Sequence, residues 1–220
     1  SDSADLATAS ISVIFDDYQK FKDRINPIEA TKGGNFEYND FISNYISDDY
    51  QKDLIKKYNY FLGLLDNIDS TLLSEADLLS MKVMKWDCEV KLQGLQNPIV
   101  TITSPMYNLP SFELTPLTQV QSLHLYVAQL GAGGSVHPFN TVKDYEDWLG
   151  RLDDYIDFLD TSILNMKEGM TKNIVLPKVL IKKTIIQLDE FIKNPVNDHL
   201  FYRPIHSIPE GINQKEQNRL

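Results

Sequence analysis

The chain has 220 residues, 42% hydrophobic and 24% charged, with a formal net charge of −10 and a pI near 4.8. That is apolar material enough for one good-sized core or two small ones, and too much for a disordered chain. The acidic balance, with no dense Lys/Arg stripe, argues against a nucleic-acid partner and against docking on an anionic membrane surface, and no apolar run approaches the ~20 residues of a membrane-crossing helix.

Internal repeats are absent, and the pattern is one of helices separated by Pro, Gly and Asn. Residues 1–10 open as a small, polar, flexible start. A first helix over about Asp5–Arg24 carries Ile11, Ile14, Phe15, Tyr18 and Phe21 at helical spacing, and Asn26-Pro27 ends it. A loop from Pro27 to Asn39 holds Gly33-Gly34. A second helix begins near Ser47, with Asp48 and Asp49 at its dipole-favoured start and a stripe of Tyr50, Leu54, Tyr58, Phe61 and Leu65. Ser74 and Asp77 form a capping-box-like start for a third helix. There Leu79, Val83, Trp86 and Val90 face one way beside Met81, Met84 and Cys88, a width that predicts burial on more than one side.

Pro98, Pro105, Pro110 and Pro116 forbid a long helix, so residues 98–116 read as a short extended crossing segment. A fourth helix spans Leu117–Leu130 and closes at Gly131-Ala132-Gly133-Gly134. Thr141 with Asp144 caps a long fifth helix, whose seam is Tyr145, Leu149, Leu152, Ile156, Leu159, Ile163, Met166 and Met170. Arg151 and the carboxylates Asp153, Asp154, Asp157 and Asp160 lie off that seam, the latter as a solvated face. Pro177 suits a first helical position, and a sixth helix runs through Ile181, Ile185, Leu188 and Ile192 to Asn194-Pro195. From there to Pro209 the chain reads as loop, and Gly211–Leu220 as the start of a further helix.

No residue set completes an active site. None of His124, His137, His199 and His206 is followed by Glu, and no two lie three to five apart, as a helical zinc site requires. Cys88, the single cysteine, sits in an apolar helical stretch, where a thiol is inert filler. Gly131–Gly134 lacks the Lys-Ser/Thr of a phosphate loop, and there is no Gly-x-Ser-x-Gly elbow. His124, four residues after Val120 and three before Val127, points near an apolar face with Gln119 and Ser122. It reads as a core-edge histidine with one hydrogen bond, or as part of a polar patch lining a cleft.

The run Leu114-Thr115-Pro116-Leu117-Thr118-Gln119, then Asp144-Tyr145 through Arg151-Leu152, Lys167-Glu168-Gly169 and Leu176-Pro177, resembles the bacterial domain of unknown function family 885. Pro27, Ala30-Thr31, Gly34 and Tyr38-Asn39 fit its N-terminal loop, and Phe201-Tyr202, Pro204 and Ile208-Pro209 a later junction, so the resemblance covers about Asp16–Ile212. Ser122 stands where the family often has Gly, and Lys167 where it has Arg, a change that loses bidentate geometry.

The resemblance implies a protein similar to helical zinc peptidases, with its His-Glu-x-x-His helix in a C-terminal half beyond this chain. No metal ligand or general base carries over. The expectation is therefore an all-α fold of about six helices: a single, truncated helical domain over 1–220, with 196–220 leading towards a zincin-like domain. It would be the non-catalytic half of an exported metallopeptidase-like protein, lining a substrate channel with Gln119, His124, Tyr107 and Arg151. The resemblance further implies a periplasmic or envelope location with a lipid anchor before residue 1, and zinc in the other half only. The implied partners are its own C-terminal domain and a peptide, with dimerisation through uncovered apolar faces. The alternative is a non-enzymatic helical binding module of the cell envelope.

Overall fold

The computed structural model describes residues 2–96, 113–119, 122–132 and 136–220. All regular structure among them is helical, as the sequence predicts. The α-helices are α1 (Asp2–Ile25), α2 (Pro27–Lys32), α3 (Asp48–Asp66), α4 (Glu75–Leu95), α5 (Leu123–Leu130), α6 (Val142–Thr171), α7 (Lys178–Ile192) and α8 (Gln214–Gln217). Short 3₁₀ segments occupy Ser70–Leu72, Val196–Asp198 and Leu200–Ser207. No helix among the described residues is long and apolar enough to cross a membrane. The extended segment expected over 98–116 lies outside the described residues as far as 112, and residues 113–115 form turn and bend.

The chain divides into two compact units, one of residues 1–26 with 45–111 and one of residues 27–44 with 112–220. In the first, α1, α3 and α4 pack together. Their ends follow local chemistry. The ring of Pro27 disfavours helical backbone at Asn26, so α1 stops at Ile25. Ser47 Oγ accepts from the Tyr50 N–H (3.3 Å) and Ser74 Oγ from the Asp77 N–H (3.1 Å), each satisfying a donor that the first turn leaves open.

The core takes Ile11, Ile14 and Tyr18 from α1, Leu54, Tyr58, Phe61 and Leu65 from α3, and Met84, Cys88, Leu92 and Leu95 from α4. Tyr18 sets its ring edge-on to Phe61 at 5.0 Å and donates its hydroxyl to Asp87, which Lys91 also meets at 3.3 Å. Burial pushes the Cys88 thiol up to about 11, which keeps it protonated and unreactive.

The rotational setting of α4 departs from the sequence reading. Leu79, Val83, Trp86 and Val90 are exposed, Trp86 by 65%. One side of the helix is buried, not several. The row 84, 88, 92, 95 runs to the end of the helix, whereas the Leu79 row stops at Val90, and two neighbouring helices cover only one stripe.

Several elements of the second unit also differ from expectation. Residues 27–32 form α2 rather than loop, because Pro27 is pre-set for a first helical position. Gly34, at φ +86°, turns the chain out of it. The helix expected from Leu117 begins only at Leu123: Ser122 is extended at its N-cap, and its hydroxyl donates back to the Pro116 carbonyl (2.9 Å). Thr141 and Asp144 make the expected capping box of α6, with Asp144 Oδ2 accepting from the Thr141 N–H at 2.8 Å. Pro177 is the N-cap of α7 rather than its first residue, its ψ of 139° being extended. Residues 200–207, expected as loop, form a 3₁₀ helix opened by His199, whose Nδ1 accepts from the Phe201 N–H at 3.2 Å.

The largest departure is on α6. Tyr145 is buried, but Leu149, Ile156, Ile163 and Met170 of the expected seam are exposed. The buried residues are Tyr145, Asp147, Trp148, Arg151, Phe158, Ser162 and Gly169. At 3.6 residues per turn this face lies about a quarter turn from the seam. Its polar members, Arg151 above all, hold it there.

Truncating Phe61 to Ala is expected to destabilise the chain by roughly 3–5 kcal/mol, and Trp86→Ala by no more than about 0.5 kcal/mol. Chemical denaturation followed by circular dichroism measures both. Equal losses would contradict the exposed setting of α4.

Candidate functional site

Arg151 is 0% exposed and sits in the middle of the second unit. No carboxylate among the described residues meets its guanidinium in a salt bridge. Its Nη1 donates to His137 Nδ1 (2.8 Å), its Nη2 to Thr31 Oγ1 (2.7 Å) and to the carbonyls of Pro27 and Tyr38 (3.3 Å each), and its Nε to the Phe41 carbonyl at 3.4 Å. Thr31 in turn donates to buried Asn39 (2.6 Å). A cation taken out of water needs its donors satisfied, and here neutral oxygens and one imidazole do so. Burial lowers the Arg151 pKa to about 10, with Asp147 and Asp40 acting in the opposite direction.

The segment 27–41 is thereby tied to the middle of α6. Two further contacts fix it: the Ile42 N–H donates to Asp154 (2.8 Å), and Asn44 Nδ2 to Thr161 Oγ1 (2.8 Å). Gly150 lets the backbone approach, since a Cβ there would lie 2.3 Å from the Asp40 carbonyl oxygen.

The hydrogen bonds of His137 define its protonation state. Arginine can only donate, so Nδ1 is an acceptor; the Asp144 carbonyl, 2.9 Å from Nε2, can only accept, so Nε2 carries the proton. The ring is neutral. Burial, with the nearby Arg151 charge, pulls its pKa down to about 4, against the opposing pull of the Asp144 carbonyl. His137 also packs on Phe139 (4.8 Å between centroids) and Trp148 (5.5 Å), which passes the cluster on to Phe201 at 5.9 Å. Gly131 admits the indole: a Cβ there would lie 2.4 Å from Trp148 Cζ2.

Beyond Trp148 opens a groove of about 470 Å³. The first turns of α6 supply Tyr145, Trp148, Leu149 and Leu152, the end of α7 supplies Ile192, and residues 194–205 supply Asn194, Val196, His199, Phe201, Tyr202 and Ile205. Tyr145 holds the far wall through a 3.1 Å hydrogen bond to the Pro204 carbonyl. Its lining is mostly apolar and aromatic with a few polar groups at Asn194 and His199, the composition of a site for an apolar ligand. A second hollow of about 420 Å³, lined by Leu125, Ile186, Gln187 and Phe191 among others, shares Asn194 and His199 with it.

The four channel candidates are not brought together in this groove. Tyr107 lies outside the described residues. Gln119 is half-buried, and its carbonyl accepts from Gln187 Nε2 at 3.5 Å. His124 is 1% exposed; its Nδ1 donates to Ser122 Oγ (2.8 Å), while Nε2 is buried with no partner among the described residues, and burial lowers its pKa. Arg151 acts from behind Trp148. Trp148, His199, Phe201 and Tyr202 line the groove, and the sequence reading did not assign them to a site. The signal for Trp148 was its position three residues after Tyr145 on a strongly periodic helix.

A catalytic zinc does not fit these side chains. Both nitrogens of His137 are engaged, His206 Nε2 is bonded to the Asn197 carbonyl (2.7 Å), and among the described residues no group of three His, Cys, Asp or Glu is placed to hold a metal.

A free imidazole titrates near 6.5 and the buried His137 at about 4. Between those values the unfolded chain holds the extra proton, so this contribution is complete above pH 6.5 and is lost as pH falls towards 4. The gap corresponds to about 3 kcal/mol. His137→Gln, whose amide can accept from Arg151 and donate to the Asp144 carbonyl without titrating, is expected to lose that part of the pH dependence. Denaturant unfolding of both proteins from pH 7.5 down to 4.5 measures it, and parallel curves would refute the neutral-histidine assignment. Arg151→Met is expected to cost about 3–5 kcal/mol at any pH in that range, because it leaves buried acceptors unpaired.

Comparison with curated proteins and with solved structures returns no match to the chain. A protein-family model does match, over residues 27–220. It begins at the first residue of the second unit and spans the Arg151 cluster and the whole groove. The chain therefore belongs to the family described as "Bacterial protein of unknown function (DUF885)".

Proposed function

We propose that this chain is the non-catalytic, ligand-binding part of a metallopeptidase-like protein of the cell envelope, and that the groove between α6 and residues 194–205 takes an apolar or aromatic side chain of a peptide. The observation that carries this reading is the lining of the groove, where Tyr145, Trp148, Leu152, Phe201 and Tyr202 surround a volume suited to one or two side chains. Asn194 and His199 supply hydrogen-bonding atoms for a peptide backbone. His124 and Arg151 are enclosed and Gln119 stands nearest to solvent among them; in this reading Arg151 supports the wall from behind through His137 and Trp148. Any zinc chemistry of the parent protein belongs to other residues.

A second reading, a non-enzymatic helical interaction module, draws support from the exposed apolar rows of α6 and α7. The two separate on the full-length gene product: stoichiometric zinc with peptide hydrolysis favours the first, and ligand binding with neither favours the second.

The groove itself is tested on this chain. Trp148 and Trp86 are the two tryptophans, and Trp86 is exposed. Trp86→Phe therefore leaves Trp148 as the sole indole reporter. Blocked peptides bearing Phe or Leu are expected to shift its emission saturably, and peptides bearing Asp or Gly are not. Leu149→Glu, at an exposed groove position, is expected to weaken binding at least about tenfold, from the lost apolar contact and the buried charge. A response indifferent to side chain or to Leu149→Glu would sink the proposal.

A further inference from the structure

At the other end of α6 and α7 the chain reverses its electrostatic character. Residues 163–186 contain Lys167, Lys172, Lys178, Lys182 and Lys183 against the single acid Glu168, a local charge of +4 in a chain of net charge −10. All five lysines are exposed. Glu168 pairs with Lys172, so the other four are met by no carboxylate among the described residues.

The same segment exposes aliphatic side chains. Met170 lies in the last turn of α6, Ile174 and Val175 (55% exposed) stand on the connection, and Val179, Ile185 and Ile186 (61%) project from α7. On α7 the inward side is marked by buried Thr184, with Gln187, Leu188 and Phe191 half-buried; Val179 and Lys182, three residues apart, lie on the opposite side, and Ile186 stands at its edge, where it also borders the second hollow.

The connection is shaped rather than loose. The Ile174 N–H donates to the Gly169 carbonyl (2.8 Å), Asn173 adopts φ 58°, and extended Pro177 is the N-cap of α7. This holds Ile174 and Val175 at the tip of a corner. From Leu152 in the groove to Thr171 is roughly 30 Å along α6, so corner and groove are separate surfaces.

We propose that this corner docks the protein on an anionic phospholipid surface. Apolar side chains at a fixed tip, ringed by unpaired lysines, match the two layers of a bilayer face: acyl chains below and acidic headgroups above. A water-exposed face would not combine so many aliphatics, and a purely apolar protein partner would leave four lysines unpaired at its edge. The charge contrast also orients the molecule, since the remainder of the chain is acidic and is repelled by the same surface. The inference is independent of what the groove binds.

The full 220-residue chain is tested by vesicle co-sedimentation, with phosphatidylglycerol–phosphatidylcholine vesicles against pure phosphatidylcholine. Binding to the anionic vesicles is expected, weakened by salt. The variant K178Q/K182Q/K183Q is expected to weaken it about 100-fold, at roughly 1 kcal/mol for each lysine. The variant I174S/V175S should weaken it about tenfold or more. These positions are exposed, and circular dichroism checks that both variants keep their helix content. A second readout attaches an environment-sensitive dye at Val175→Cys, which is selective because Cys88 is buried. Its emission should move to the blue on anionic vesicles only. Absence of binding, or equal binding to neutral vesicles, overturns the proposal. So does a salt-insensitive dimer that Ile186→Glu abolishes, which would assign the face to a second copy of the chain.

Discussion

A guanidinium cannot be buried without a full set of acceptors, and in the second unit Arg151 is buried completely. Dehydrating such a cation costs several kcal/mol even after relaxation. The Pro27, Tyr38 and Phe41 carbonyls, the Thr31 hydroxyl and the His137 imidazole replace the lost water. Their sources lie more than a hundred residues before Arg151, or on the segment leading into α6. Satisfying this one side chain therefore closes the chain on itself. It also sets the rotation of α6. Turning the helix to bury Leu149, Ile156, Ile163 and Met170 would carry Arg151 away from its acceptors, leaving a set of buried carbonyls and a histidine without donors. A few apolar side chains left in water cost less than that, because each exposed aliphatic forfeits about 1.5–3 kcal/mol of burial while each orphaned buried polar group costs a comparable amount and the charge costs more.

The neutral state of His137 follows from the same constraint and reaches the groove. Because Arg151 takes Nδ1 as an acceptor, the proton resides on Nε2 and the ring is held towards the Asp144 carbonyl at the start of α6. Phe139 and Trp148 stack around that oriented ring, and Trp148 forms part of the groove wall. Gly131 and Gly150 let the structure close where a Cβ would collide with the indole or with the Asp40 backbone. The groove is thus a consequence of polar satisfaction several residues away, not of a hydrophobic stripe meeting its complement.

This explains which parts were legible in the sequence. The ends set by Asn26-Pro27, Ser47, Ser74 and the Thr141–Asp144 box depend on chemistry within four residues, and a local reading finds them. The α3 stripe was legible too, since Leu54, Tyr58, Phe61 and Leu65 form a single narrow row with little competing with it. On α4 and α6 the apolar positions are broad enough to support two faces. Periodicity reports that an amphipathic face exists, and only the packing partner decides which edge of it is covered. For α6 that partner is a buried charge, which a hydrophobic count places on the solvent side. Pro27 was read as the end of α1, although the same ring also starts α2. Trp148 and Phe201 meet across a long stretch of sequence, and no pattern within either element announces the pairing.

Charge shows the same difference between global and local information. A net charge of −10 argues against an anionic surface when the charge is spread evenly. It is not spread evenly, because seven of the eight acids of α6 lie between Asp144 and Asp160, whereas Lys167, Lys172, Lys178, Lys182 and Lys183 gather where α6 passes into α7. Screening over about a Debye length of 8–10 Å means that a docking surface responds to the charges within that distance and hardly to those farther along a helix. A 30-residue helix spans several such lengths. Its two ends can therefore present opposite electrostatic faces, and the acidic total becomes a reason for one end to approach an anionic layer in a single orientation rather than a reason for the whole chain to avoid it.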